Sequence, residues 1–221
     1  MTSAALVPFI VLAGVLFALI IGGGIWWSVR RQKALQLRNR EAAQLGWQVV
    51  PPSPMLMEIA ASVFFRGRPV VMYAGQYRGH GIHILDYTYT TTSGDSTSTN
   101  EVHLVALALP VALPPLELTQ RSRTSRFFGT HQLELGNSAF NDAFRINCGD
   151  NRYAAAVLDP RVMEWMLFNP ALEWQLSGST LVSWGTGRFA IGDVQARLDA
   201  MIRLVDLIPP SVLREYGQPV Y

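Results

Sequence analysis

The chain has 221 residues, of which 49% are hydrophobic and 15% charged, and it carries a formal net charge of +2 with a single cysteine. This composition excludes a disordered charged tail, a collagen-like fibre and a small secreted domain built around disulfides. The charge is unevenly placed, because the first charged side chain is Arg30 and the first acidic one is Glu41. Residues 1–29 thus contain no charged side chain.

Residues 4–27 form an apolar run that ends in Trp26 and Trp27. As a helix rising about 1.5 Å per residue, this run is about 36 Å long, which is enough for a hydrocarbon core of about 30 Å. A cleavable signal peptide fits less well, since it needs a basic stretch before the apolar run and a small-residue cleavage site after it. The sequence therefore predicts one transmembrane helix, assigned to residues 1–28.

Basic residues directly follow the apolar run and favour its cytoplasmic side. They are Arg30, Arg31, Lys33, Arg38 and Arg40. This pattern predicts a single-pass protein of the cell (plasma) membrane, with the N-terminus outside and the C-terminal domain in the cytoplasm. Gly22, Gly23 and Gly24 leave open a close helix-packing surface, and hence a homo-oligomer.

Two further segments follow the predicted anchor. Residues 29–45 are expected to form a basic helical stalk that stops at Gly46, and residues 46–221 a cytoplasmic domain. After residue 40 the chain carries 13 arginines and 16 acidic residues, a net charge of −3. Because a nucleic-acid-binding domain needs a basic face of its own, no nucleic acid partner is expected.

The first half of the domain changes from a helical to a two-residue period. Ser53 followed by Pro54 is typical of a helix start, because serine caps helix N-termini and proline fits the first turn. Farther on, alternating apolar and polar residues separated by turn residues predict an antiparallel meander. The predicted elements are a helix from Ser53 to about residue 61, strands over 69–77, 82–91 and 102–109, a turn at 78–81 and a polar hairpin tip at 92–100.

The second half combines short strands with helices. Asp159 followed by Pro160 repeats the helix-start pattern, and apolar residues spaced by four and three from Val194 to Ile208 predict a helix packed on a sheet. The predicted elements are an irregular crossing at Pro110, Pro114 and Pro115, strands over 116–118, 130–135 and 144–148, a helix over 159–168, a hairpin of strands 174–176 and 180–184, and a last helix capped by Asp193. The predicted fold class is α+β, with one transmembrane helix followed by an antiparallel-sheet domain with packed helices.

A group of residues in the domain resembles an uncharacterised family of bacterial, mainly actinobacterial, single-span membrane proteins. The residues are Asp86, Tyr87, Tyr89, Phe140, Asn141, Phe144, Arg145, Ile146, Asp150, Tyr153, Ala154, Leu158, Pro160, Met163, Glu164 and Trp165. The resemblance spans about residues 60–215. It implies a membrane-tethered α+β domain of unknown function and supplies no catalytic residues.

Candidate catalytic and metal-binding groups are few. His80, His83 and Asp86 lie close together in the sequence, but residues three apart on a strand point to opposite faces. They converge only if the turn at His80 folds back over the sheet, so neither a metal nor a cofactor is expected. Cys148 has no sequence-local base, which is typical of a small buried hydrophobic residue.

Arg121, Arg123 and Arg126 alternate with serine and threonine. Such a segment is either a solvated loop or a contact for anionic lipid headgroups or an acidic partner. The sequence as a whole favours a membrane-anchored, non-catalytic binding or scaffold module that contacts the lipid bilayer and a protein partner. The alternatives are a membrane-bound, hydrolase-like enzyme that uses the His/Asp site and a structural oligomeric membrane subunit.

Overall fold

A computed structural model of the chain describes residues 26, 30, 32–121 and 133–219. The chain divides into two compact units, Met1–Leu45 and Gly46–Tyr221. In the first unit, residues 32–44 form helix α1. The second unit contains a seven-stranded sheet with helices before, between and after its strands.

The elements of the second unit follow one another in this order: β1 (Gln48–Val50), α2 (Pro54–Val63), β2 (Gly67–Tyr77), β3 (His80–Ser93), β4 (Ser96–Gln120), α3 (Ser138–Ala143), β5 (Phe144–Cys148), α4 (Asn151–Val157), α5 (Pro160–Phe168), β6 (Trp174–Thr186), α6 (Ile191–Leu207), α7 (Pro210–Tyr216) and β7 (Gln218–Pro219). All pairings between these strands are antiparallel.

The long strand β4 organises the sheet. Residues 96–107 pair with β3 on one side, residues 116–120 pair with β5, and β6 pairs within residues 102–118 on the other side. The remaining order is β1-β2-β3-β4, with the short β7 bonded to residues 111–112 of β4. β1 and β5 are therefore the two ends of the main path, and β6 and β7 pair with β4 outside it.

Two tight turns set the register of the first three long strands. Arg78 and Gly79 both have positive φ, 47° and 83°, and this is the geometry that a two-residue hairpin turn requires. Gly94, with φ of 57°, lies in the next turn. The prediction of a polar hairpin tip at 92–100 is wrong, because the ladder between β3 and β4 continues to the pair Ser93 and Ser96.

Prolines interrupt β4 without ending it. Because proline cannot donate to a ladder, strands tolerate it only at edges and irregularities. The pairing of β4 with β6 accordingly shifts register between Ala108 and Leu113 and again before Leu116. The pairing with β3 ends at Leu107 and that with β5 begins at Leu116, so the prolines occupy the gap between two neighbours.

A helix covers each face of the sheet. On one face, α2 packs Leu56, Ile59 and Ala60 into a buried cluster with sheet residues such as Leu104 and Trp184. On the other face, α6 contacts β4 and β6 and buries Val194, Leu198, Met201 and Leu204. A hydrogen bond of 2.9 Å from Tyr77 Oη to Asp199 Oδ1 ties the β2–β3 turn to α6.

The fold class predicted from the sequence is wrong about the transmembrane helix. An antiparallel sheet with packed helices is present, but among the described residues no helix is long and apolar enough to cross a membrane. Apart from Trp26, the apolar run at residues 4–27 lies outside the described residues, as do Gly22, Gly23 and Gly24. Hydrophobicity alone led to the assignment of a spanning helix there.

Candidate functional site

A cleft lies between the loop that follows α5 and the first two turns of α6. Its volume is about 340 Å³. The residues that line it are Phe168, Asn169, Pro170, Ala171, Leu172, Asp193 and Arg197. Pockets of about 300–1,000 Å³ with a few placed polar groups are typical of ligand sites, and this cleft is at the lower end of that range.

Arg197 is the cation of the cleft, and the sheet holds it in place. Its Nη1 donates to Ser183 Oγ at 2.9 Å and to the carbonyl oxygen of Trp184 at 2.7 Å. Ser183 is fully buried and donates in turn to the carbonyl oxygen of Glu173 at 2.6 Å. A partly buried arginine with two such bonds has a fixed guanidinium plane.

Glu173 supports this arrangement from the start of β6. The side chain is only 8% exposed. Its Oε2 accepts from Trp184 Nε1 at 2.9 Å, and its Oε1 accepts from the backbone N–H of Gln120 at 3.0 Å. A buried carboxylate is stable only when its oxygens have hydrogen-bond partners, so these two bonds account for its position. Glu173, Ser183, Trp184 and Arg197 are called the arginine framework below.

His103 lies next to the arginine framework, and Gly185 lies between His103 and Arg197. An ideal Cβ at Gly185 would lie 2.7 Å from ring atoms of His103 and 2.9 Å from Arg197 Nη2, so only glycine fits between the two side chains. His103 Nδ1 lies 3.0 Å from the carbonyl oxygen of Gly187, which means that this nitrogen carries the proton. Phe189 packs edge-on against His103 and Tyr73.

Burial and charge act in opposite directions on Arg197. Burial lowers the pKa of its guanidinium, whereas the carboxylates of Glu173 and Asp193 raise it. Because an arginine guanidinium is not deprotonated in proteins, the group keeps its charge at neutral pH. Arg197 is therefore a fixed positive charge that is partly shielded from water.

Phe168 forms the apolar rim of the cleft. It is the last residue of α5 and is 80% exposed. Asn169 ends the helix and folds back, its Nδ2 donating to the carbonyl oxygen of Trp165 at 2.8 Å. Leu172, 6% exposed, anchors the far end of the loop in the core. The loop thus holds a large aromatic side chain in water at one end while its other end is fixed.

The structure separates the three residues considered for a metal. Along β3, His83 is an odd number of residues from both His80 and Asp86, so it faces the opposite side of the sheet. Asp86 is 2% exposed and lies opposite the buried His103 in the ladder. Within the described part of the chain, no group of three His, Cys, Asp or Glu side chains is placed to hold a metal ion.

The other candidates from the sequence are placed as follows. Arg121 is exposed and donates through Nη1 to the carbonyl oxygen of Asn141 at 2.7 Å. Arg123 and Arg126 lie outside the described residues, so the contact with lipid headgroups stays a prediction. Cys148 is 8% exposed and its Sγ lies 3.3 Å from the carbonyl oxygen of Asp150; burial raises the pKa of its thiol.

Sequence reasoning missed the arginine framework. Arg197 lies three residues after Val194 and four before Met201, and therefore on the buried stripe of α6. A charged residue within an apolar stripe is the signal that was available. Glu173 gave no such signal, since its role depends on hydrogen bonds with Gln120 and Trp184, which are distant from it in the sequence.

Comparison with known proteins gives one likeness of fold. The chain is similar to a solved structure, described as the crystal structure of the mycobacterial trehalose monomycolate transport factor A, TtfA. The TM-score is 0.55 and the sequence identity is 16%. The match covers 83% of this chain and 96% of that one. No protein-family model matches, and no curated protein does either. The resemblance to an uncharacterised actinobacterial family stays a prediction.

Proposed function

We propose that this protein is a non-catalytic binding module of a transport-associated assembly and that it docks a partner polypeptide at the cleft between residues 168–172 and α6. The observation that carries the proposal is the placement of an 80% exposed phenylalanine, Phe168, on the rim of a cleft with a fixed arginine, Arg197. Aromatic residues and arginine are enriched at the centres of protein interfaces.

The rigidity of the site supports binding. Arg197 is held by two hydrogen bonds to β6, and its neighbour Ser183 is bonded to Glu173. A side chain that is already fixed loses little conformational entropy when a partner arrives. The arginine framework therefore preorganises the cation, while the exposed ring of Phe168 supplies apolar surface that a partner removes from water.

The likeness of fold also supports the proposal. The similar structure is described as that of a mycobacterial trehalose monomycolate transport factor. At 16% identity this likeness concerns the fold, so the nature of the transported molecule does not come with it. The partner is identified below only by the chemistry that the cleft selects.

Photo-crosslinking from the rim tests the docking. A benzophenone amino acid replaces Phe168 in the full chain, and in a matched control it replaces Val49, which is 56% exposed on edge strand β1. After irradiation in the cells that naturally contain the protein, we expect one discrete adduct from position 168 and none of that mass from position 49. The partner identified in the adduct, once purified on its own, should bind the unmodified chain directly.

Three results contradict this proposal. They are an absence of adduct at position 168, adducts of equal mass from both positions, and an adduct that consists of two copies of this chain alone. The last result would indicate the homo-oligomer that the sequence left open.

A further inference from the structure

We infer that the cleft selects a carboxylate, supplied by an aspartate or glutamate of the partner that adjoins an apolar side chain. This inference rests on the proposed docking and specifies its chemistry. It combines three features of the cleft: the hydrogen-bond donors that Arg197 keeps, the apolar wall of the 168–172 loop, and the position of Asp193.

Arg197 has donors to spare. Both of its hydrogen bonds to the sheet come from Nη1. Among the described residues, no hydrogen bond from Nε or Nη2 of this side chain is found; Nη2 lies 2.9 Å from the position of an ideal Cβ at Gly185, and Arg197 is one of the residues that line the cleft. Because a guanidinium has five N–H donors and no acceptor, the remaining donors suit an oxyanion. A planar carboxylate matches their spacing better than a neutral amide does.

Apolar groups lie beside these donors. Pro170, Ala171 and Leu172 form the wall of the cleft, and Phe168 extends from its rim. An aliphatic or aromatic side chain next to the bound carboxylate covers this surface and excludes water from the ion pair. Excluding water strengthens the charge interaction, since an ion pair that is exposed to solvent contributes little.

Asp193 restricts which anions fit. It lies one turn before Arg197 on α6 and also lines the cleft, but it is exposed to solvent. Its charge opposes a second negative group at the mouth, so the cleft favours a single carboxylate over a dense acidic run. The same repulsion predicts that the neutral variant Asp193→Asn binds an acidic peptide more tightly.

A polypeptide fits this cleft better than a free amphiphile does. The cleft is open to solvent and its volume of about 340 Å³ leaves little room for a long acyl chain. The ring of Phe168 projects beyond the cleft, so burying it needs a surface wider than the occupant of the cleft alone. A polypeptide segment supplies the carboxylate, the neighbouring apolar side chain and that wider surface.

The test is a titration of the ¹⁵N-labelled full chain with three probes, followed by NMR. The probes are acetyl-Phe-Glu-Leu-amide, its Gln counterpart and octanoate. We expect the Glu peptide to shift amide signals of residues 169–172 and 193–197, with a dissociation constant about tenfold lower than that of the Gln peptide. Octanoate should bind more weakly than the Glu peptide.

Variants on α6 complete the test. Arg197→Gln should remove the preference for Glu over Gln, and Arg197→Lys should retain part of it. Arg203→Gln, a matched change of an exposed arginine on the same helix, should leave the preference unchanged. Asp193→Asn should lower the dissociation constant of the Glu peptide about twofold.

Equal binding of the Glu and Gln peptides to the unmodified chain overturns the inference even if an Arg197 variant fails to fold. Tighter binding of octanoate overturns the choice of a polypeptide. If a partner crosslinks at position 168 but its binding does not depend on charge, this inference is wrong and the proposed function still stands. Failure of the crosslinking removes the proposed function itself.

Discussion

Gly185 lies at the closest approach between the arginine framework and the histidine beside it. A methyl group there would meet His103 at 2.7 Å and Arg197 at 2.9 Å. Neither neighbour has room to withdraw, because His103 is 6% exposed and Arg197 is bonded to β6. The glycine is therefore a packing requirement of the site and not a turn residue.

Gly185→Ala should lower the free energy of unfolding by about 1–3 kcal/mol, the usual cost of overpacking. Urea unfolding of the full chain measures this change. Gly81→Ala is the matched control, since its Cβ would lie 3.5 Å from the Ala108 Cβ, an ordinary contact. Equal stability of the two variants would mean that the contacts around Gly185 relax freely.

Residue-level chemistry was only partly predictable. The sequence correctly suggested that Cys148 is buried, because a lone cysteine without a sequence-local base is typical of a small buried residue. It gave no view of Glu173, whose partners Gln120 and Trp184 come from other positions in the sheet. Local patterns reveal which residues are buried, but they do not reveal which distant atoms satisfy them.

At the scale of elements, two helices begin with the same sequence pattern but differ in their caps. At α5, Asp159 Oδ1 accepts from the backbone N–H of Val162 at 2.9 Å. At α2, Ser53 occupies the same position without a side-chain cap hydrogen bond. Both helices have proline in the first turn.

Asp159→Ala should therefore cost about 1 kcal/mol of stability, and Ser53→Ala clearly less than that. The ion pair of Asp159 with the exposed Arg161 adds little to the first value. Thermal or urea unfolding of the two variants gives the comparison. A larger loss at Ser53 than at Asp159 would show that the cap hydrogen bond does not determine helix stability here.

Elements with strong local signals were predicted well. The strand at 144–148 and the helix ending at residue 168 have the predicted bounds. The predicted hairpin of strands 174–176 and 180–184 is instead one strand, β6, in which Gly178 adopts a φ of 56° without reversing the chain. Asp193 lies inside α6, whose N-cap is Ala190, because the helix begins at Ile191. Glycine signals an interruption, but at Gly178 the pairing with β4 overrides it.

At the scale of the molecule, buried neutral acids should set the response to alkaline pH. Burial raises the pKa of Tyr153, and the charge of Cys148 raises it further; burial also raises the pKa of Cys148 itself. Tyr153 Oη donates to the carbonyl oxygen of Pro114 at 3.1 Å. The folded state thus favours the protonated form of both groups more than the unfolded state does.

The contribution of these groups to stability is complete below their unfolded values of 9.0 and 10.0 and is lost as the pH rises toward their higher folded values. We expect the free energy of unfolding, measured in urea, to fall steadily above about pH 9. Tyr153→Phe should reduce that fall while lowering stability at about pH 7 through the lost hydrogen bond. A stability that stays constant up to about pH 11 would contradict this.

The arrangement of the whole chain was predicted unevenly. The α+β character follows from the change of periodicity along the sequence, and the sheet confirms it. The expected transmembrane helix is wrong, since among the described residues no helix suits a membrane. The cellular location, the stalk and the lipid contact of Arg121, Arg123 and Arg126 stay predictions.

The central claim is that the protein binds its partner through the cleft beside Phe168, and the affinity for the crosslinked partner tests it most directly. With that partner purified, the dissociation constant is measured for the full chain, for Phe168→Ala and for Arg203→Gln. Truncating an exposed aromatic at the centre of an interface costs about 2 kcal/mol, so Phe168→Ala should bind about thirtyfold more weakly while Arg203→Gln binds unchanged. Equal affinities of the unmodified chain and Phe168→Ala would contradict the account.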